Sequence, residues 1–306
     1  MTQKINDFSS KGLGTAAILA ISQGLPPFLG YPIASILSLI LGNRFLSPTF
    51  SAIRLNQWVV HDGKLNSREL QRAVRRVYQN QGRALYDFYH NLDRPDAIRK
   101  LVRLTPRFTT LMEGCQNKES KQGTLLLIPH LSGFNLGGLL LAQLGFKFLT
   151  LAIPNPNRDY AWQNKIRNER GMEVLPMNFS SLQSARERLQ KGGTVQTGVD
   201  RAHPESGYTP LFFGRPAPLP VAYVQLALKT NARVIVVNFC TLADHTYQID
   251  CSDAVELEPN PDRHAEMIRN AEKILRIVED NIRSDPSQWM MFLPLWPGLE
   301  KELPSL

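Results

Sequence analysis

The chain has 306 residues, 43% of them hydrophobic and 20% charged, with 21 Pro and 20 Gly, which excludes a disordered polymer or a collagen-like repeat. Its net charge of +8 is uneven: residues 1–110 carry 15 Lys+Arg against 6 Asp+Glu, and the remainder 20 against 21. That distribution argues against a uniformly basic nucleic-acid binder and implies that one end meets a polyanionic surface, either phosphate backbone or anionic lipid. The length allows one large α/β domain or two small ones. Cys115, Cys240 and Cys251 form no C-x-x-C pair and have no His at zinc-ligand spacing. Neither a disulfide framework nor a structural metal is therefore expected, and a reducing compartment fits.

Between Lys11 and Arg44 lie 32 positions without a charge. Two apolar runs, Ala16–Ile21 and Phe28–Leu41, flank Gly24-Leu25-Pro26-Pro27. A straight membrane-spanning helix wants about 20 apolar residues without a central break, and Pro26, Pro27 and Pro32 each remove a backbone donor. Residues 1–50 therefore read as a membrane anchor, either one kinked span or a shallow helical hairpin in one leaflet; a buried core hairpin is the alternative. A signal peptide fits poorly, for want of a small-residue cleavage site. Ser67 reads as an N-cap, followed by Leu70, Val74, Val77, Leu85 and Phe88 at helical spacing. Arg72, Arg75, Arg76 and Arg83 decorate the other faces of that helix, as at an anionic membrane surface, where each basic residue is worth about 1 kcal/mol.

From residue 120 strands and helices alternate. Thr124–Ile128 reads as a buried strand that delivers His130 to its carboxyl end, before a helix carrying Leu139–Leu144. Phe148–Ile153, Glu173–Met177, Thr194–Val199 and Val234–Phe239 read as further strands. Ala161–Glu169, Leu182–Gln190 and Ala222–Lys229 read as the helices between them, with Gly171 and Gly192-Gly193 as stops. Asp200-Arg201 follow a strand end. Pro261–Ile282 closes the series as a long amphipathic helix. The pattern predicts a single α/β domain over residues 51–306, with a mostly parallel sheet flanked by helices and sites at the carboxyl ends of its strands.

Several blocks carry a resemblance. Pro129-His130-Leu131-Ser132-Gly133-Phe134-Asn135 resembles the H-x₄-D/E block of glycerolipid and lipid A acyltransferases. The nearer match is the lipid A biosynthesis (lauroyl/myristoyl) acyltransferase branch, which also resembles the mycobacterial phosphatidylinositol mannoside acyltransferases. Gly198-Val199-Asp200-Arg201 is similar to that branch's Asp-containing block. Phe212-Phe213-Gly214-Arg215-Pro216-Ala217-Pro218-Leu219-Pro220 matches its F-F-G-x-P-A-x-x-P segment. Gln288-Trp289, Trp296-Pro297 and Asn80-x-Gly82-Arg83 fit as well, so the likeness runs from about residue 25 to 297.

This resemblance implies a membrane-associated O-acyltransferase that moves a fatty acyl group from acyl carrier protein or acyl-CoA to a hydroxyl of a glycolipid or lysophospholipid. It would act at the cytoplasmic side of the inner membrane, with no metal, bound cofactor or nucleic-acid partner. His130 would be the general base and Asn135 its orienter. Asp200 is a second candidate for the negative charge that Asn135 lacks. Backbone N–H groups around Ser132–Asn135, or an arginine, would bear the oxyanion. Arg158, Arg167, Arg170 and Arg201 are candidates for substrate phosphates, and Phe212, Phe213 and Gly214 for the acyl pocket. Because the family's usual Asp/Glu is Asn at position 135, a non-catalytic lipid-binding member of the same fold is the alternative. The proline usual in the strand near Val236-Val237 is also absent.

Other chemistries find no footing. Gly12-x-Gly14 follows no strand, so a dinucleotide fingerprint is unsupported, and no G-x-x-x-x-G-K-[ST] occurs. Ser132 lacks a G-x-S-x-G elbow and reads as a turn residue. His203 and His245 carry no assignment.

Overall fold

The computed structural model describes residues 13–42, 47–117, 121–156 and 158–305. Residues 1–12 and 43–46 of the expected anchor, Lys11 and Arg44 among them, lie outside the described residues. Helices α1 (Leu13–Gly24) and α2 (Pro27–Gly42) follow the two apolar runs. Pro27 opens α2, where the first N–H groups have no intrahelical partner to lose, and Pro32 is carried inside the helix without ending it. Among the described residues no helix is long and apolar enough to cross a membrane. The described part of this segment makes two short helices packed on a third.

After α3 (Pro48–Val60), that third helix is α4 (Ser67–His90). Its N-cap is Asn66, one residue before the expected Ser67, in a reciprocal capping box with Glu69. Leu70, Val74, Val77 and Phe88 are buried as the spacing predicts. Arg68, Arg72 and Arg76, four residues apart, stand exposed in one row. Arg83 instead turns inward, 4.1 Å over the Tyr31 ring and 3.8 Å from Asp87. Gly82 lets α2 cross closely: a Cβ there would lie 2.9 Å from the Ala34 carbonyl oxygen. Asp87, fully buried, accepts hydrogen bonds from Tyr31 (2.6 Å) and Tyr247 (2.5 Å), which ties α2 to the sheet. Burial drives its carboxyl upward, against the pull of both tyrosines and Arg83.

The remaining elements are α5 (Pro95–Leu101), β1 (Val102–Leu104), α6 (Pro106–Gln116), β2 (Thr124–Ile128), α7 (Phe134–Gln143), β3 (Phe148–Ala152), α8 (Arg158–Glu169), β4 (Glu173–Pro176), α9 (Phe179–Gln190), β5 (Thr194–Gly198), β6 (Leu211–Phe212), β7 (Arg215–Pro216), α10 (Ala222–Thr230), β8 (Arg233–Thr241), β9 (Tyr247–Cys251) and α11 (Arg263–Ser284). Seven strands form one sheet in the order β1-β9-β8-β2-β5-β3-β4, parallel except for the antiparallel pair β8–β9. The strand period sorts side chains to two cores. Leu125 and Leu127 join Val234 and Val236 beneath α9, α10 and α11, while Leu126 and Ile128 join Ile235 and Val237 beneath α4 and α7. Buried on both faces, these strands read as unbroken apolar runs.

Candidate active site

Register builds the site. β2 and β5 pair in parallel with Ile128 opposite Gly198, so the residues two past each strand end, His130 and Asp200, emerge side by side at the carboxyl edge. Asp200 is completely buried. One of its oxygens lies 2.5 Å from Nδ1 of His130; the other accepts from the His130 backbone N–H and from the Trp289 indole N–H, each at 2.8 Å. Burial alone would raise the Asp200 carboxyl, but the attraction of His130 and these hydrogen bonds outweigh it, and the group is held below the usual carboxylate range. Gly198 makes room for the imidazole: a Cβ there would sit 2.6 Å from Cε1 of His130.

The expected orienter lies elsewhere. The side-chain oxygen of Asn135 accepts from Nη2 of Arg167 at 2.6 Å, so Asp200 occupies the place on His130 that sequence spacing assigned to Asn135. Two of the backbone N–H groups expected to bear an oxyanion are engaged, Gly133 with the Phe239 carbonyl and Phe134 with that of Leu131. Ser132 is indeed a turn residue, its hydroxyl hydrogen-bonded to Thr241 and Gln288.

His130 faces a cavity of about 380 Å³ at the carboxyl ends of β2, β3, β4 and β5. Its wall is largely apolar, from Ile128, Leu151, Ala152, Met172, Val174 and Met177, with Arg167, Arg201 and His203 among its polar groups. A second chamber of about 260 Å³, reaching Leu226 and Met267, shares Leu151, Met177, Gly198 and His203 with the first.

Of the arginines singled out from sequence, Arg167 and Arg201 line this cavity. Arg158 is exposed at the start of α8, and Arg170 pairs with Asp93 at 2.8 Å; neither is on the described cavity wall. Phe212 and Phe213 are not there either. They are buried in an aromatic cluster with Trp289 and Trp296, with ring centroids 4.6–6.4 Å apart. Phe213 (φ 51°) and Gly214 (φ 70°) form the two-residue turn between β6 and β7, a geometry that favours glycine. The most recognisable sequence block is thus a brace behind Trp289.

Trp289 itself escaped sequence reasoning as a site residue. Its neighbours stitch the segment after α11 onto the His130 turn. Met290 N–H donates to the His130 carbonyl (2.8 Å), and the Gln288 side chain accepts from the Thr241 N–H (2.7 Å) while donating to the Thr241 carbonyl (2.8 Å). The signal available was the Gln288-Trp289 pair, whose indole N–H demands an acceptor when buried.

A family model described as bacterial lipid A biosynthesis acyltransferase matches residues 63–297. A phosphatidylinositol mannoside acyltransferase of Mycobacterium tuberculosis is 24% identical over 178 residues, which are 57% of this chain and 54% of that relative. A protein of the same description from Mycolicibacterium smegmatis is 24% identical over 183 residues, 58% of each chain. The chain spans somewhat more than half the length of these curated relatives.

Proposed function

Because the chain belongs to the bacterial lipid A biosynthesis acyltransferase family, we propose that it is a membrane-associated O-acyltransferase, with His130 as general base and Asp200 as its orienter. The donor in this reading is an acyl thioester of acyl carrier protein or coenzyme A, and the acceptor a hydroxyl of a glycolipid or lysophospholipid. The observation that carries it is an imidazole facing an apolar cavity, with a buried carboxylate on its Nδ1. Asp200 fixes the tautomer with the proton on Nδ1, which leaves Nε2 to accept. Nε2 takes the acceptor's hydroxyl proton as that oxygen attacks the thioester carbonyl. The tetrahedral intermediate then collapses with cleavage of the C–S bond, and the imidazolium returns its proton to the departing thiolate. Asp200 stabilises the imidazolium throughout without taking the proton.

An assay with acyl-CoA or acyl carrier protein thioesters and bacterial membrane lipids as acceptors tests this reading. The natural protein should form acylated lipid, and His130→Ala should lose about 10³-fold or more. Lipid binding without transfer by the natural protein would favour the non-catalytic alternative.

The exposed face of α2 supports the membrane association in this reading. Phe28, Pro32, Ile36 and Ile40 recur every fourth residue as one exposed strip, with Phe28 74% and Ile40 60% accessible. Such a face suits the bilayer interface, and the exposed arginine row of α4 suits anionic head groups, as expected at the cytoplasmic face of an inner membrane. Replacing Phe28, Ile36 and Ile40 together with Ser should weaken co-flotation with phosphatidylglycerol-containing liposomes at least tenfold, at about 1.5 kcal/mol or more per buried side chain. Undiminished flotation would move the attachment away from α2.

A further inference from the structure

Two guanidinium groups line the cavity with His130. Arg167 is only 6% exposed, and both of its described hydrogen bonds end on uncharged amide oxygens, that of Asn164 at 2.7 Å and that of Asn135 at 2.6 Å. Its guanidinium carbon lies 5.8 Å from the ring centroid of Phe134 and 5.5 Å from that of Tyr160. Arg201 approaches the same Tyr160 ring at 5.2 Å. Its Nε is buried without a hydrogen-bond partner among the described residues. Among those residues, the one carboxylate on the cavity wall is Glu205, which is exposed; Asp200 is committed to His130 and Trp289.

Amide oxygens orient a guanidinium without neutralising it. An uncompensated buried cation is costly until an anion arrives, and the planar fork of arginine matches phosphate oxygens. An aspartate at position 135, in the place of the present amide, would cancel the charge of Arg167 inside the protein. We infer that Asn135 instead leaves that charge for substrate: Arg167 and Arg201, set around Tyr160, form a phosphate subsite beside His130. This inference rests on the acyltransferase reading only in taking the cavity as the place where substrate binds. The phosphate belongs either to the head group of the lipid acceptor or to the carrier arm of the donor, and in both cases phosphate-bearing molecules are selected over neutral ones.

Equilibrium binding, without turnover, tests it on the full chain. One arm compares lysophosphatidic acid with the monoacylglycerol of the same chain length, in detergent micelles; the other compares coenzyme A with pantetheine. In at least one arm the phosphate-bearing member should bind tenfold or more tightly than its neutral mate, and that arm identifies the source of the phosphate. The near-isosteric Asn135→Asp should abolish the preference. Arg167→Gln should do the same, and Arg167→Lys should keep part of it. No preference in either arm, or one that survives both Asn135→Asp and Arg167→Gln, overturns the subsite. A natural protein that shows the preference yet transfers no acyl group keeps the subsite and loses the acyltransferase reading. Acyl transfer without the preference does the reverse.

Discussion

Replacing Asp200 with Asn is expected to lower kcat by about 10⁴-fold while leaving the fold in place. The contacts dictate why. One Asp200 oxygen receives two N–H donors that cannot reverse, the His130 backbone and the Trp289 indole; the other faces Nδ1 of His130. An amide at 200 must therefore place its oxygen on the first pair and its NH₂ toward the ring. That NH₂ needs Nδ1 as an acceptor, so the neutral imidazole is forced to carry its proton on Nε2, the atom that must be bare to take the hydroxyl proton. The variant should retain its far-ultraviolet dichroism and its affinity for lipid while turnover collapses. A loss of less than tenfold would remove Asp200 from the mechanism. Acid stability supplies an independent check. The Asp200 carboxyl is held below its ordinary value of 3.8, so its contribution to stability is present above that pH and is lost on acidification through the lowered value. Asp200→Asn should accordingly flatten the fall in thermal stability that the natural protein shows below about pH 4.

The legible and the hidden parts of this molecule divide by the range over which the chain must be read. The strands β2, β3, β4, β5 and β8 stand out as short runs buried on both faces, and helices α7 to α11 by the face that each buries at its own period. His130 stood out because it follows an apolar strand and precedes a helix. Asp200 is a candidate from sequence as well, but its contact with His130 is not legible there, because Asn135 is five residues away in the chain whereas Asp200 reaches the ring through the pairing of Ile128 with Gly198, which only the sheet order discloses. The same limit hid Trp289, 89 residues beyond Asp200. Phe212 and Phe213 misled in a different way. A memorable apolar block beside a predicted site reads as a pocket wall, but its turn geometry sends both rings into the core. The short strand β9 was missed because one of its faces carries Gln248 and Asp250, and its register is fixed by pairing with β8 and β1 rather than by its own pattern. Arg83, counted with the membrane-facing arginines, is claimed by the buried Asp87 and Tyr31, a demand that no helical period announces.

Gly198→Ala is expected to cost about 10²-fold in kcat, more than its single methyl group suggests. The added carbon would lie 2.6 Å from Cε1, 3.3 Å from Nε2 and 3.5 Å from Nδ1 of His130, that is, against the imidazole itself. Neither side yields easily. Gly198 ends a strand hydrogen-bonded between β2 and β3, and the ring is held to Asp200 through Nδ1 while its own backbone is held there too. Relief requires the ring to tilt or swing by about 1 Å, a displacement of the kind that costs two orders of magnitude at a reacting centre. Overpacking at such a site also costs about 1–3 kcal/mol of stability, so the melting temperature should fall. The combination with His130→Ala separates this account from general strain in β5. If the methyl group clashes only with the imidazole, its destabilising effect should vanish once His130 is Ala, giving a coupling of about 1 kcal/mol or more in the double-mutant cycle. An undiminished loss of stability in that background would locate the strain in the strand and remove Gly198 from the positioning of His130.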